Sequence, residues 1–269
     1  MEFNGLNEIK NNSFSGLENL ETLNLNYSPL RSLNEDGSSL NGLSNLKKLT
    51  FEYNQFYVTP SSFAFAKVRE SLQHLSFSRN FRLEIISPMN FSSLKTLKIS
   101  SCKLGVIGND TFVGAPNLEF LDLSYSQISL LAKFSLRGLN FLKSLNISGN
   151  SLSLIPYRSL QPVSRTLEEL IANSLPLKLI HSLRESFDTK FMGNLLHLSL
   201  VQCPLESISD NSFFNNLRNL KTLKLSNTRL AEIPSQLGNL TSLELLEFIG
   251  NPIKVLVLNL KHCHKAYCE

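Results

Sequence analysis

No tryptophan occurs in this chain, and no segment of it reads as a membrane span or a known catalytic motif. The apolar stretch Val255-Leu-Val-Leu-Asn-Leu260 is far short of the roughly 20 residues that a spanning helix needs. Residues 1–20 contain no apolar run, so no secretory leader is read there. Charged residues are sparse at 18%, but apolar residues reach 42%, a balance that excludes a disordered or low-complexity chain. A Gly-rich phosphate loop, a Gly-x-Ser-x-Gly elbow and a His-Glu-x-x-His pair are all missing. These absences leave no catalytic residue and no cofactor to assign.

What the chain does have is one pattern used ten times. Leu-x-x-Leu-x-Leu-x-x-(Asn/Cys/Ser/Thr)-x-Leu opens at Leu20, Leu46, Leu72, Leu94, Leu118, Leu142, Leu167, Leu195, Leu220 and Leu243, at intervals of 22 to 28 residues. Intervals of this length mark a repeat architecture. Within each block, x-Leu-x-Leu-x alternates, so its leucines face one side of a short strand and its variable residues the other. One repeat cannot bury its apolar face alone, whereas stacked parallel strands build a continuous interior. The spacing therefore predicts a leucine-rich-repeat solenoid of the α/β class. It should be a curved horseshoe of about ten repeats, with a parallel sheet on the concave face and loops and short helices on the convex face.

The ninth position sits where the chain leaves the strand. Asn54, Asn80, Asn150 and Asn251 stand there, and an amide that both donates and accepts can bond the backbone of adjacent turns. Cys102, Cys203, Ser28, Ser126 and Thr228 substitute as smaller groups. Leu175 cannot bond at all, so the seventh repeat is expected to be irregular, with His181–Lys190 bulging from the convex side. The return segments place interior pairs such as Ile9 with Phe14, Ile107 with Phe112 and Ile208 with Phe213. Eighteen phenylalanines suit such a spine, because Phe fills space without needing a polar partner.

Residues 1–254 read as one array and 255–269 as a C-terminal tail or atypical cap. Asn4, Leu6 and Ile9 fit the later places of a repeat whose strand is missing, so the chain is expected to begin inside a repeat. Cys102 and Cys203 lie four repeats apart, about 19 Å at the usual strand spacing, beyond disulfide reach. They read as buried free thiols, while Cys263 and Cys268 could pair with each other or with cysteines elsewhere. The cluster His262-Cys263-His264 with Cys268 matches no common zinc frame, so no metal is assigned. His74 and His197 fall on strands five repeats apart, about 24 Å, and cannot share a site. Glycosylation sequons fall at Asn11, Asn26, Asn90, Asn109, Asn146 and Asn239. With 28 Asn and 47 Ser plus Thr in the chain, chance alone supplies about five, so they permit extracellular life without showing it.

A partner is expected on the concave face, at the third, fifth, seventh and eighth positions. The aromatic residues there are Tyr27, Tyr53, Phe120 and Tyr125, the kind of side chain that dominates interface energies. With the second positions added, acids and bases on this face number eight each. A phosphate-tracking surface needs a basic stripe, so the expectation is a protein partner and no nucleic acid on the concave face.

Strands of this form followed by Ile-x-x-x-x-Phe, best seen in Ile107-Gly-Asn-Asp-Thr-Phe112 and Ile208-Ser-Asp-Asn-Ser-Phe213, resemble the typical animal class of leucine-rich repeats. That class includes Toll and Toll-like receptor ectodomains, chaoptin-type adhesion proteins and variable lymphocyte receptors. Arg165-Thr-Leu-Glu-Glu-Leu170 and Glu70-Ser-Leu-Gln-His-Leu75 are similar to the Toll and chaoptin groups. The resemblance implies a non-enzymatic ligand-binding or adhesive ectodomain, extracellular or at the cell surface. Two features keep an intracellular scaffold or adaptor open as the alternative. Ile253-Lys-Val-Leu256 follows Asn251-Pro252, where the class places its cysteine-bearing cap. Ile233-Pro-Ser-Gln-Leu-Gly-Asn-Leu240 is similar to plant-type or intracellular repeats.

Overall fold

A computed structural model of the chain describes residues 5–153, 157–177, 192–205, 214, 216–254 and 263–267. All ten repeats form a three-residue strand centred on the first leucine of their Leu-x-Leu segment: Thr22–Asn24 (β1), Lys48–Thr50 (β2), His74–Ser76 (β3), Thr96–Lys98 (β4), Phe120–Asp122 (β6), Ser144–Asn146 (β8), Glu169–Ile171 (β9), His197–Ser199 (β10), Thr222–Lys224 (β11) and Leu245–Glu247 (β12). They pair in parallel, each with its neighbour in the repeat order, and leucine stands opposite leucine at every step. The fold is a leucine-rich-repeat solenoid. An eleventh strand that the leucine spacing did not predict, Lys265–Tyr267 (β13), lies parallel to β12 at the end of the sheet, with all three residues exposed.

Alternation decides which way each strand faces. The central leucine of every strand from β2 to β12 is buried, as are the first and sixth positions of those repeats. Phe51 and Phe77 occupy two sixth positions and stack at 5.2 Å between ring centroids, with Phe56 set edge-on to both. Phe65 continues this cluster to Phe77 and Phe91. Burying each such side chain contributes roughly 1.5–3 kcal/mol, and most of that area is covered by the next repeat.

The ninth-position amides knit the turns. Asn150 Oδ1 accepts from the Ser126 and Ile128 amides, both at 3.0 Å, and its Nδ2 donates to Leu123 and Ile147. Asn54, Asn80 and Asn251 repeat the arrangement. In each case the amide reaches back one repeat. Cys102 and Cys203 are buried free thiols that donate weakly to Phe77 and Ala172 of the preceding turns. Burial pushes the Cys102 thiol up to about 12 and the Cys203 thiol up to about 11.

The strand side of the seventh repeat departs from the expectation of irregularity. Leu175 is simply buried, β9 keeps its register, and the Asn173 side chain accepts from Ser199 Oγ and the Val201 amide. A neighbouring Asn two positions earlier thus carries bonding across the stack. The stretch 181–190, Asn4, Ile155, Pro156, Ile208, Phe213 and Cys268 lie outside the described residues.

The described return segments hold little helix: Ser38–Leu40 (η1), Tyr157–Leu160 (α1), Gln161–Val163 (η2) and Ser235–Asn239 (η3). Val106–Ile107 (β5) and Leu130–Leu131 (β7) pair as a second, two-stranded parallel sheet. Ile107 and Leu131 point into the core there, while Val106 and Leu130 are exposed. Among the described residues, no helix is long and apolar enough to cross a membrane, and no group of three or more His, Cys, Asp or Glu could hold a metal.

Candidate functional site on the concave face

The eighth position of each repeat has a conformation that the sequence does not advertise. Tyr27, Tyr53, Arg79, Ser101, Tyr125, Ser174, Gln202 and Asn227 all have φ between 53° and 62°, and Gly149 and Gly250 have φ of 65° and 71°. Left-handed backbone costs a non-glycine residue of the order of 1 kcal/mol. What offsets it is a hydrogen bond to the next repeat, like those the sixth-position amides make. The amide at each eighth position, from Tyr27 to Asn227, donates to the seventh-position carbonyl of the next repeat, at 2.7–3.2 Å. The parallel ladder therefore continues past the strands, and the eighth side chains are delivered to the rim of the sheet.

Along that rim several side chains contact their successors. Tyr27 stacks on Tyr53 with centroids 4.5 Å apart and planes inclined by 16°. The Arg79 guanidinium lies over the Tyr53 ring at 4.9 Å, and Phe81 meets the same ring edge-on. Ser174 donates to Gln202 at 2.8 Å. Tyr125 covers Gly149, where an added Cβ would fall 2.3 Å from the ring. Of the four expected binding residues, only Phe120 stands on a strand; the three tyrosines stand on the rim beyond it. Tyr27 and Tyr53 are brought together. Phe120 and Tyr125 share the fifth repeat, three strands beyond Tyr53, with Arg79 and Ser101 between them. Phe120 is 48% and Tyr125 59% exposed, while Tyr27 and Tyr53 are half-buried by their stacking. The set is thus a paired rim element and a second aromatic element, not one continuous patch.

Charge on the face is balanced in number but not in order. Lys48, His74, Arg79 and Lys98 are exposed over the second to fourth repeats with Glu52 among them, whereas Glu119, Asp122, Glu168 and Glu169 follow in the fifth and seventh with Lys143 between. Lys47 pairs with Glu21, Lys95 and Lys143 both pair with Glu119, and Lys221 pairs with Glu244. Between β1 and β4 the sheet forms a depression of about 440 Å³ lined by Lys48, His74, Lys98 and Glu52 together with Thr, Ser and Asn side chains. Partial burial, then Lys48, Lys95 and Lys98, hold His74 below the usual histidine range. This segregation removes the ground on which nucleic acid was excluded, because counting the whole face averaged a basic segment with an acidic one.

Of the six sequon asparagines, Asn11, Asn90, Asn109 and Asn239 are exposed and off the main sheet. Asn26 and Asn146 are half-buried on the concave side, where Asn26 Oδ1 accepts from the Glu52 amide and Asn146 Oδ1 from the Ser148 amide.

Comparison with known proteins agrees with this architecture. Family models described as leucine-rich repeat match residues 92–152 and 219–240. Toll-like receptor 3 of Boselaphus tragocamelus is 33% identical over 195 residues, 71% of this chain and 18% of that protein. The human volume-regulated anion channel subunit LRRC8A is 30% identical over 252 residues, 84% of this chain and 28% of that protein. The chain thus spans less than a third of the length of these curated relatives. Among solved structures, the Drosophila Toll–Spatzle complex superposes with a TM-score of 0.78 at 20% identity, covering 95% of this chain and 35% of that one. A complex of TLR13 with a single-stranded RNA superposes at 0.60 and 22% identity, covering 93% and 46%. Matching strands, ninth-position ladder and relatives make this chain a leucine-rich-repeat protein whose array resembles Toll-like receptor ectodomains.

Proposed function

We propose that the array is the non-enzymatic recognition module of a receptor-like protein, extracellular or at the cell surface, and that it holds a protein ligand on its concave face. The observation carrying this reading is a set of aromatic side chains, exposed at Phe120 and Tyr125 and half-buried at Tyr27 and Tyr53, on a backbone held by an unbroken hydrogen-bond ladder. Rigid rings lose little freedom on binding, which is why they dominate interface energies. Tyr27, Tyr53, Phe120 and Tyr125 are the proposed contacts, with residues 1–254 as the array and 255–269 as its C-terminal piece. The Toll-like receptor relatives and the Toll–Spatzle likeness support a ligand-binding role. The likeness to a channel subunit shows that related arrays are not confined to receptors, and it keeps an intracellular scaffold as the alternative. Glycans at Asn11, Asn90, Asn109 and Asn239 would leave the concave sheet open. The TLR13 neighbour is seen with single-stranded RNA, which makes a nucleic acid the second ligand to test.

The test is alanine replacement of Tyr53 and Phe120 against a partner captured by pull-down, beside Val106→Ala and Leu130→Ala on the convex side. Loss of a central ring is expected to cost about 2 kcal/mol or more, roughly thirtyfold in affinity. Undiminished binding by the concave variants, with loss in the convex ones, moves the site to the outer surface.

A further inference from the structure

We infer that the depression across β1–β4 receives a short acidic segment of the protein ligand, two carboxylates on one face of an extended strand, held by Lys48 and Lys98 with His74 between them. This rests on the protein-recognition reading above and names the partner's chemistry at one part of the face. Lys48, His74 and Lys98 line one cavity on three successive strands. Neither lysine has an ion-pair partner among the described residues, in contrast to Lys47, Lys95, Lys143, Lys221 and Lys224 on the same face. Thr22, Asn24, Asn26, Ser76 and Thr96 add hydroxyl and amide groups to the walls. A charge-assisted hydrogen bond to such a lysine is about twice as strong as a neutral one.

Length selects the occupant. Lys48 is in register with Thr96, so Lys98 stands two strand spacings across the sheet and two residues further along it, about 12 Å away between Cα atoms, and alternate carboxylates of an extended peptide stand about 7 Å apart. Two carboxylates carried on flexible side chains therefore reach both lysines. A longer phosphate chain fits worse. Toward the fifth repeat it meets Asp122, paired in register with Lys98, and then Glu168 and Glu169. Glu52, which accepts from Ser76 at 2.7 Å, further limits the negative charge the cavity takes.

His74 makes the binding pH-dependent. The charged groups around it are Lys48 on β2, Lys98 on β4, Lys95 just before β4, and Glu52 beyond β2. In the free protein these lysines and partial burial favour the neutral imidazole. A bound carboxylate favours the imidazolium, so binding takes up a proton and tightens as pH falls through the His74 pKa of the complex. The ligand's carboxylates stay ionised above about pH 5.5.

The experiment titrates the whole chain with a peptide of alternating Asp and Gly, its Asn-Gly counterpart, and a short oligouridylate, following the His74 ring by NMR between about pH 5.5 and about pH 8. The acidic peptide is expected to raise the His74 pKa. Combined Lys48→Gln and Lys98→Gln should weaken it roughly tenfold or more, and His74→Gln should retain binding at about pH 8 while losing the gain on acidification. All three positions are exposed, and circular dichroism checks that the variants are folded. An equal response to the Asn-Gly peptide, indifference to the lysine changes, or lysine-dependent capture of oligouridylate without capture of the acidic peptide overturns the inference. The two proposals fail separately. If Tyr53→Ala and Phe120→Ala release the captured partner but the lysine changes do nothing, only the acidic-segment inference falls. If the reverse is seen, the aromatic contacts fall and the basic depression stands.

Discussion

At the scale of single residues, the ninth position shows how much one amide can do. Asn150 satisfies four buried backbone groups across two repeats, whereas Cys102 at the same position makes only weak sulfur contacts at 3.5 and 3.6 Å. Leaving buried backbone groups unpaired costs about 1–3 kcal/mol each. We therefore expect Asn150→Ala to lower unfolding free energy by at least ~2 kcal/mol, and Cys102→Ala by less than half of that, measured by urea denaturation. Equal losses would show that the amide ladder carries no special weight. The cysteines give a second expectation. Only a thiolate attacks an alkylating agent, and both buried thiols are held above the usual cysteine range, at about 12 for Cys102 and about 11 for Cys203. Near pH 8 both should resist iodoacetamide in the folded protein and react only once it is unfolded in urea. Rapid labelling of either under native conditions, read by mass spectrometry, would contradict their placement.

At the scale of the element, neighbouring turns approach so closely that a side chain is forbidden at particular points. A Cβ on Gly114 would lie 1.7 Å from the Met89 carbonyl oxygen, one repeat earlier, beside the hydrogen bond from the Phe91 amide to the Gly114 carbonyl. Backbone cannot step aside as a flexible side chain can. Gly114→Ala should thus destabilise the array by about 1–3 kcal/mol, while Gly193→Ala, with nothing within 4 Å of its Cβ, should be close to neutral. Thermal melts of the two variants compare them directly, and equal melting temperatures would refute the close-packing account. Irregular elements follow the same logic of neighbours. β5 and β7 pair because Val106-Ile107 and Leu130-Leu131 fall at equivalent places in adjoining repeats, while Val58 and Ile85 of two earlier return segments make a single parallel bridge.

Across the described residues, each strand of the main sheet hydrogen-bonds to the strands beside it, in the repeat order from β1 to β13. Stability in such an array is close to a sum of repeat terms and nearest-neighbour interfaces. Leu145, fully buried at the centre of β8, makes a test of this. Leu145→Asp puts an unpaired charge into the interior, and hydrogen exchange should show protection lost first in β6, β8 and β9, with β1–β3 affected least. Uniform loss across the sheet would mean that the array unfolds as a single unit. The same linear order explains the face. Lys48, His74 and Lys98 fall on three successive strands, while Glu119, Asp122, Glu168 and Glu169 fall further along the same order, with Glu52 and Lys143 as the exceptions in each stretch.

The ten strands, their register and the buried leucines were legible in the sequence because they depend on local alternation: the central leucine of each three-residue strand and the apolar residue just after it share one side, which leaves one orientation that buries both. The asparagine ladder was legible for a similar reason, since Asn54, Asn80, Asn150 and Asn251 carry both bonding functions in their own amides. The candidate site was legible only in its residue types. That Tyr27, Tyr53 and Tyr125 stand on the rim in left-handed backbone was decided by an amide bonding to the following repeat, which no single block reveals. Stacking of Tyr27 on Tyr53, the covering of Gly149 by Tyr125, the regular strand side at Leu175 and the addition of β13 likewise depend on which groups lie one turn away. Periodicity specifies what each repeat brings to the stack, and contact between repeats decides where those side chains finally stand.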